Sequence, residues 1–157
     1  MRESMFAALG DLRGASFLDL FAGSGIMTLE ALSRGAKTAL LIEIDRRKRR
    51  IILENLKIAE GDGSGLDEVR LRIMPVERVL RGSMRRYDVV HIDPPFSMSD
   101  KNGLLVLADR AGQPASGGTL ILHHPSENRL SDTTDNLRLY DIRAYGQSRL
   151  AFYTRDN

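Results

Sequence analysis

A carboxylate, two prolines and an aromatic ring follow directly on an apolar run in "VVHIDPPF", residues 89–96. Proline has no amide hydrogen to give to a sheet, so Pro94 and Pro95 must end the strand that the apolar residues predict. The fixed prolines hold Asp93 on a rigid corner, and Phe96 lies just beyond it. A corner of this kind can hold hydrogen-bond acceptors still against a ligand while the ring stacks on a flat face of that ligand.

A second candidate site is the strand-to-helix turn in "DLFAGSG", residues 19–25. Its two glycines, Gly23 and Gly25, let the backbone approach a ligand closely and adopt turns that side chains forbid. The helix that begins immediately behind the turn offers amide hydrogens to the ligand. This pattern is typical of the nucleotide corner of a Rossmann-like sheet. Thr28 stands where a dinucleotide fingerprint would want a third glycine, so the pattern alone does not indicate NAD.

Two acids accompany this turn and favour a ligand without phosphate. Asp19, at a predicted strand end, would repel a pyrophosphate and better suits an amine-bearing ligand. Glu43 lies 18 residues after Gly25, near the end of the next predicted strand, where it can accept both hydroxyls of a ribose. S-adenosylmethionine carries an ammonium, a sulfonium and a ribose but no phosphate, and therefore fits better than NAD. The alternative is that both acids are strand-end caps.

Short apolar runs alternate with amphipathic stretches, which is typical of a parallel α/β sheet. The last two predicted strands, 137–145 and 148–154, are separated only by Gly146 and Gln147, and this spacing indicates a hairpin. We therefore predict an α/β, Rossmann-like, doubly wound sheet of seven strands, mostly parallel with a C-terminal antiparallel hairpin. The first five predicted strands lie at 16–21, 38–44, 68–73, 87–93 and 117–124.

Length and composition exclude several classes of protein. A chain of 157 residues is most simply one domain with one substantial core, residues 1–157. Without cysteine it can form neither a disulfide framework nor a thiolate metal site. The three histidines, His91, His123 and His124, have no acid or cysteine at ligand spacing, so we predict no metal site. No apolar stretch predicts a membrane span or signal peptide, and a cytoplasmic protein is expected.

Arginine is concentrated in "DRRKRR", residues 45–50. Its planar guanidinium suits phosphates, so this run is a candidate RNA-binding surface. The alternative is that these side chains merely solvate a helix face. The candidate RNA-binding residues are Arg46, Arg47, Arg49 and Arg50.

"DLFAGSG", "IEID" and "DPPF", in this order and spacing, resemble the motifs of class I S-adenosylmethionine-dependent methyltransferases. "DPPF" is similar to the motif of enzymes that methylate exocyclic or amide nitrogens. The fuller strings "FLDLFAGSGIMTLEALSRGA", "RESMF" and "YGQSRLAFY" resemble the bacterial 16S ribosomal RNA guanine-N2 methyltransferase family across essentially the whole chain. The combination with "LEALSRGA" is much more specific than the glycine motif.

This resemblance implies an enzyme that methylates the N2 amine of a guanine in 16S ribosomal RNA, within the 30S subunit or an assembly intermediate, and we expect a monomer. The expected strand order is 3-2-1-4-5-7-6, with the ligand at the carboxyl ends of strands one, two and four. Asp93 and the Pro94 carbonyl would accept the two amine hydrogens, and Phe96 would stack on the flipped base. The residues expected to bind the cofactor are Asp19, Phe21, Ala22, Gly23, Gly25, Glu43, Ile44, Val76 and Asp93.

The chain departs from the family pattern at two places that matter here. The family normally has a basic arm before "RESMF", and here the arm is absent or truncated. Pro75 stands where an Asp or Asn usually contacts the adenine amine, so that contact would fall to the Val76 amide or to Glu77. Two alternatives stay open: a methyltransferase for another amino group, adenine N6 or protein glutamine, and a non-catalytic module that binds cofactor or RNA.

Overall fold

The computed structural model describes residues 1–61 and 68–156. The chain forms two compact units, Met1–Val76 and Glu77–Asn157. Its seven strands are ordered β3-β2-β1-β4-β5-β7-β6 in the sheet, which confirms the order expected from the sequence. Among the described residues, no helix has both the length and the apolar character that a membrane crossing requires.

Strands and helices alternate through the first unit. The strands are β1 (Ser16–Leu20), β2 (Thr38–Glu43) and β3 (Glu68–Ile73), and the helices are α1 (Arg2–Leu9), α2 (Ile26–Ser33) and α3 (Arg49–Gly61), with α4 (Val76–Arg81) beginning at its end. Strand β2 pairs in parallel with both β1 and β3. All five residues of β1 are buried, and so are five of the six in β2, as expected for parallel strands covered on both faces. Their carboxyl ends therefore lie at one edge of a solid core.

The segment after β2 is not one continuous helix. Asp45 caps a 3-10 turn, Arg46–Lys48, by accepting a hydrogen bond from the Arg47 amide at 2.9 Å, and α3 begins only at Arg49. The Arg47 guanidinium also folds back onto the Asp45 carboxylate. These hydrogen bonds lower the pKa of Asp45 and favour a tighter first turn than a regular α-helix has.

The second unit contains the remaining strands and one further helix. They are β4 (Val89–Ile92), α5 (Lys101–Arg110), β5 (Thr119–Pro125), β6 (Leu137–Tyr145) and β7 (Ser148–Arg155). Strand β4 pairs in parallel with β5, while β7 pairs antiparallel with both β5 and β6. Tyr145 pairs with Ser148 across Gly146 and Gln147, so the predicted hairpin is confirmed. Gly146 has a φ of 57°, the left-handed conformation that such a tight turn requires.

Strand β4 is shorter than the predicted strand 87–93 at both ends. The Tyr87 amide donates to the side chain of Gln113 at 3.0 Å and not to a neighbouring strand. At the other end, the Pro94 and Pro95 nitrogens have no hydrogen to donate, and the strand ends at Ile92. The result is a four-residue buried strand that delivers Asp93 directly at its carboxyl end.

A buried ion pair connects the end of α5 to β7. Arg155 Nη2 lies 2.8 Å from Asp109 Oδ1, and the side chains are 7% and 3% exposed. The Asp109 carboxylate also accepts hydrogen bonds from Thr134 and Asn136, and Arg155 donates to the carbonyl of Pro114. Burial raises the pKa of Asp109, but these hydrogen bonds outweigh it and hold the pKa below its ordinary value. The carboxylate is therefore ionised at neutral pH.

Candidate active site

The turn between β1 and α2 has a backbone that few residues can adopt. Phe21, Gly23 and Gly25 have φ angles of 66°, 63° and 82°, and Phe21 is the one non-glycine residue with positive φ in the described chain. The Ala22 amide donates to the Ile42 carbonyl at 2.9 Å, which fixes the start of the turn to β2. Gly25 then caps α2. A left-handed phenylalanine is a strained residue, and such strain concentrates at ligand-binding turns.

Glu43 ties this turn to the end of β2. Its Oε1 accepts the Gly23 amide at 2.8 Å, and its Oε2 accepts the Asp45 amide at 2.9 Å. The side chain is buried, at 6% exposure. Each carboxylate oxygen has two acceptor positions, so each keeps one for a ligand hydroxyl. The structure thus gives Glu43 a role in shaping the glycine turn that spacing alone did not predict.

Asp19 is more enclosed than the sequence suggests. It is 1% exposed, and its Oδ2 accepts a hydrogen bond from Thr28 Oγ1 at 2.7 Å. Thr28, the residue in place of a third glycine, is therefore the partner of this acid and is itself fully buried. With so little exposed surface, Asp19 can act on a cationic ligand through its charge and by holding the turn in shape.

An open space and an exposed apolar side chain lie beside this turn. A Cβ added at Gly23 would meet no atom of the described chain within 4 Å, so space is open against the turn. Ile44 follows Glu43 and is 65% exposed, which offers an apolar side chain to a ring. Val76 is buried but begins α4, where backbone N–H groups have no partner within the helix. A ribose and an adenine would need features of this kind, and the contacts themselves stay a prediction.

In the second unit, the "DPPF" segment forms a compact corner after β4. Pro94 is buried and Pro95 is exposed, so the corner is anchored on one side only. The Asp93 side chain is 41% exposed and Phe96 is 53% exposed, so both are accessible to a ligand. The Met98 amide donates to the Pro95 carbonyl at 2.9 Å and closes a turn immediately after the ring.

The buried Lys101 side chain binds the backbone of this corner. Its ammonium donates to the carbonyl oxygens of Phe96 and Met98 at 3.2 and 2.7 Å, and the residue is only 3% exposed. Asp100 caps α5 by accepting the Gly103 amide at 2.8 Å. Nothing in the sequence predicted this role, because a lysine at the start of a helix is ordinarily solvated. The backbone that carries Phe96 is therefore held by a buried charge.

His123 lies beside Asp93 and Phe96, and the sequence did not predict it at the candidate site. Its Nδ1 lies 2.9 Å from Asp93 Oδ1, and its ring packs edge-on against Phe96 with centroids 5.4 Å apart. A signal was present in the predicted strand order, because β4 and β5 are parallel neighbours and Ile92 pairs with Leu122. The next residue on each strand is then Asp93 and His123. The adjacent His124 is buried, which lowers its pKa, and it bonds the Pro125 carbonyl.

The predicted basic run divides into two kinds of arginine. Arg47 pairs with Asp45 at 3.0 Å, and Arg50 pairs with Glu54 at 3.1 Å. Arg46 and Arg49 make no ion pair with any residue in 1–61 or 68–156. All four line a shallow groove together with Leu53, Glu54 and Lys57. Two of the predicted RNA-binding cations are therefore partly neutralised by neighbouring acids.

A family described as conserved hypothetical protein 95 matches residues 1–154. Ribosomal RNA small subunit methyltransferase D of Escherichia coli (strain K12) is 29% identical over 157 residues, which cover 99% of this chain and 77% of that protein. A solved conserved hypothetical protein of Streptococcus pyogenes has a TM-score of 0.88 at 25% identity and covers 99% of this chain and 96% of its own.

The fold is also shared with more distant solved structures. SMU.776, solved in complex with SAH, has a TM-score of 0.75 over 97% of this chain and 47% of its own, and at 16% identity this likeness concerns the fold alone. The seven-stranded order predicted from the sequence is confirmed in this chain. With a match over nearly its whole length, the chain belongs to the conserved hypothetical protein 95 family, and the resemblance to ribosomal RNA methyltransferases drawn from its sequence is confirmed.

Proposed function

We propose that residues 1–157 act as one S-adenosylmethionine-dependent methyltransferase domain, which methylates the N2 amine of a guanine in 16S ribosomal RNA within the assembling small subunit. The observation that carries this proposal is the corner at Asp93 and Phe96. It presents an accessible carboxylate and an accessible ring on a backbone fixed by two prolines and a buried lysine. The name of the Escherichia coli relative, ribosomal RNA small subunit methyltransferase D, supports ribosomal RNA as the substrate.

Cofactor binding is assigned to the first unit. Glu43 would accept the ribose hydroxyls with the acceptor positions left after it binds the amides of Gly23 and Asp45. Ile44 would cover the adenine, and the Val76 amide would meet its edge. Asp19 would act on the ammonium through its charge, and the segment from Phe21 to Gly25 would line the close approach. S-adenosylmethionine, when bound, supplies the methyl group and its leaving sulfide.

The chemistry at the amine is assigned to the second unit. A guanine N2 lone pair is delocalised into the ring, so the amine is a weak nucleophile. Asp93 and the carbonyl of Pro94 would accept its two hydrogens and turn the lone pair out of the ring plane. Fixed acceptors lower the entropic cost of this alignment. Phe96, which is 53% exposed, would stack on the face of the flipped base.

The test is methyl transfer from labelled S-adenosylmethionine to immature 30S particles, followed by mass spectrometry of the RNA nucleosides. We expect N2-methylguanine as the product. Asp93→Ala should lower turnover by about 10²-fold or more, because the amine loses its alignment, while cofactor affinity changes little. Asp93→Asn keeps one acceptor oxygen and should retain part of the activity. The matched control is Asp156→Ala, which removes an exposed aspartate paired with Arg138.

Three results would contradict the proposal in different ways. Methyladenine as the product, or label in protein, would indicate a different target amine. Binding of particles and cofactor without any transfer would indicate a non-catalytic module. An Asp93→Ala protein with wild-type turnover would show that the corner is not the catalytic site.

A further inference from the structure

One imidazole contacts both functional groups of the prolyl corner. His123 Nδ1 lies 2.9 Å from Asp93 Oδ1, and the His123 ring meets Phe96 at an interplanar angle of 64°. The His123 side chain is 12% exposed, whereas Asp93 and Phe96 are 41% and 53% exposed. His123 thus lies behind the two groups that a substrate would touch.

The other ring nitrogen decides which tautomer this arrangement favours. His123 Nε2 is buried and has no hydrogen-bond partner within residues 1–61 and 68–156. A buried N–H without an acceptor is rarer than a buried acceptor without a donor. A hydrogen on Nε2 would also leave a bare Nδ1 facing a carboxylate oxygen, lone pair against lone pair. Both reasons place the hydrogen on Nδ1, which then donates to Asp93 Oδ1.

This hydrogen bond makes the two carboxylate oxygens of Asp93 different. Oδ1 already accepts one hydrogen bond from His123, whereas no described residue donates a hydrogen bond to Oδ2, which keeps both of its acceptor positions. On the basis of the proposed function, we propose that His123 is a positioning residue. Its Nδ1–H fixes the Asp93 carboxylate so that Oδ2 receives the amine hydrogen, and its ring holds Phe96 in the stacking position.

Two substitutions separate these two contacts. Asparagine at 123 places an amide N–H near the position of Nδ1 but has no ring. Phenylalanine keeps a ring against Phe96 but donates no hydrogen bond. If His123 merely supported the fold, the two substitutions would not affect kcat and the KM for RNA separately.

The two variants should therefore change different kinetic constants. His123→Phe should lower kcat about tenfold, the effect of one lost hydrogen bond to a charged group, with the KM for RNA nearly unchanged. His123→Asn should retain kcat within about twofold and raise the KM for RNA about two- to tenfold, because the edge-on aromatic pair is lost. Cofactor affinity, measured by calorimetry, should stay the same in both variants.

His124→Asn is the matched control, because it alters the neighbouring histidine, whose Nδ1 bonds a backbone carbonyl. It should lower the stability of the protein without changing kcat and the KM for RNA separately. Equal losses of kcat in His123→Phe and His123→Asn would overturn the proposal. So would wild-type kcat in His123→Phe.

A spectroscopic measurement tests the arrangement without any methyl transfer. Long-range nitrogen–proton correlation in ¹⁵N-histidine-labelled protein should show His123 protonated at Nδ1 and bare at Nε2, with its signals assigned from their loss in His123→Asn. A ring protonated at Nε2 would overturn the proposal. If the wild-type protein does not methylate RNA, the proposed function fails, and the tautomer still decides whether His123 donates to Asp93.

Discussion

Replacing Glu43 by alanine should destabilise the protein before any cofactor is added. The substitution removes the acceptors of two backbone amides, those of Gly23 and Asp45, at 2.8 and 2.9 Å. A buried amide left unpaired costs about 1–3 kcal/mol, so two amides give about 2–6 kcal/mol. Gly23 and Asp45 are only half-buried, and water can reach part of the gap. We therefore expect a loss in the lower part of that range, about 2–4 kcal/mol.

Urea unfolding followed by circular dichroism, without cofactor, measures this loss. Glu54→Ala is the control, because Glu54 makes an exposed i,i+4 pair with Arg50 on the same unit. It should cost less than about 0.5 kcal/mol. If Glu43→Ala cost no more than Glu54→Ala, the reasoning that Glu43 shapes the turn would be refuted.

Glu43→Gln separates the structural role from the proposed ribose contact. Its amide oxygen still accepts one backbone amide, while its NH₂ group faces the other, so the loss of stability should be about half as large. Calorimetry on this folded variant should show S-adenosylmethionine binding weakened by about 1–3 kcal/mol. Binding at wild-type affinity would exclude Glu43 as the ribose acceptor and leave the stability result intact.

Two further predictions concern charge. The pKa of Asp109 is held below its unfolded value, so the pairing stabilises the fold above about pH 4 and is lost as pH falls through the folded pKa. Asp109→Asn should cost about 3–5 kcal/mol at neutral pH and flatten the acid dependence of urea unfolding, unlike Asp156→Asn at an exposed pair. In the basic run, Arg49→Ala should reduce the slope of the logarithm of the RNA-binding constant against the logarithm of salt concentration by about one. Arg47→Ala should reduce this slope by less, because Asp45 already pairs with Arg47. Equal slopes for the two arginine variants would contradict this assignment.

The sequence predicted the strands because their signals were local, and the expected strand order followed from the family resemblance. The apolar runs, the turn glycines and the two prolines each constrain their own segment. The sequence failed where a side chain replaces a backbone partner. The Gln113 side chain accepts the hydrogen bond of the Tyr87 amide, and β4 is shorter as a result. The Arg47 side chain donates to Asp45 and favours a tight turn at the start of the helix after β2. Such hydrogen bonds depend on the rotamer of one side chain and produce no periodic pattern in the sequence.

The candidate site shows the same division. Asp93, Phe96, Glu43 and the glycines were found because the types and spacing of residues carry them. His123 lies 30 residues from Asp93, and only the register of β4 and β5 brings the two together. Lys101 looks like an ordinary surface lysine in sequence, yet it is buried beneath the corner.

The ion pair between Asp109 and Arg155 also bears on synthesis at the ribosome. The two residues are 46 positions apart, and Thr134 and Asn136, which also bond the carboxylate, lie between them. While the chain grows, Asp109 is synthesised before its guanidinium partner exists. Until then, the Asp109 carboxylate of helix α5 has no guanidinium with which to pair. The buried ion pair between α5 and β7 can therefore form only after β7 has been translated.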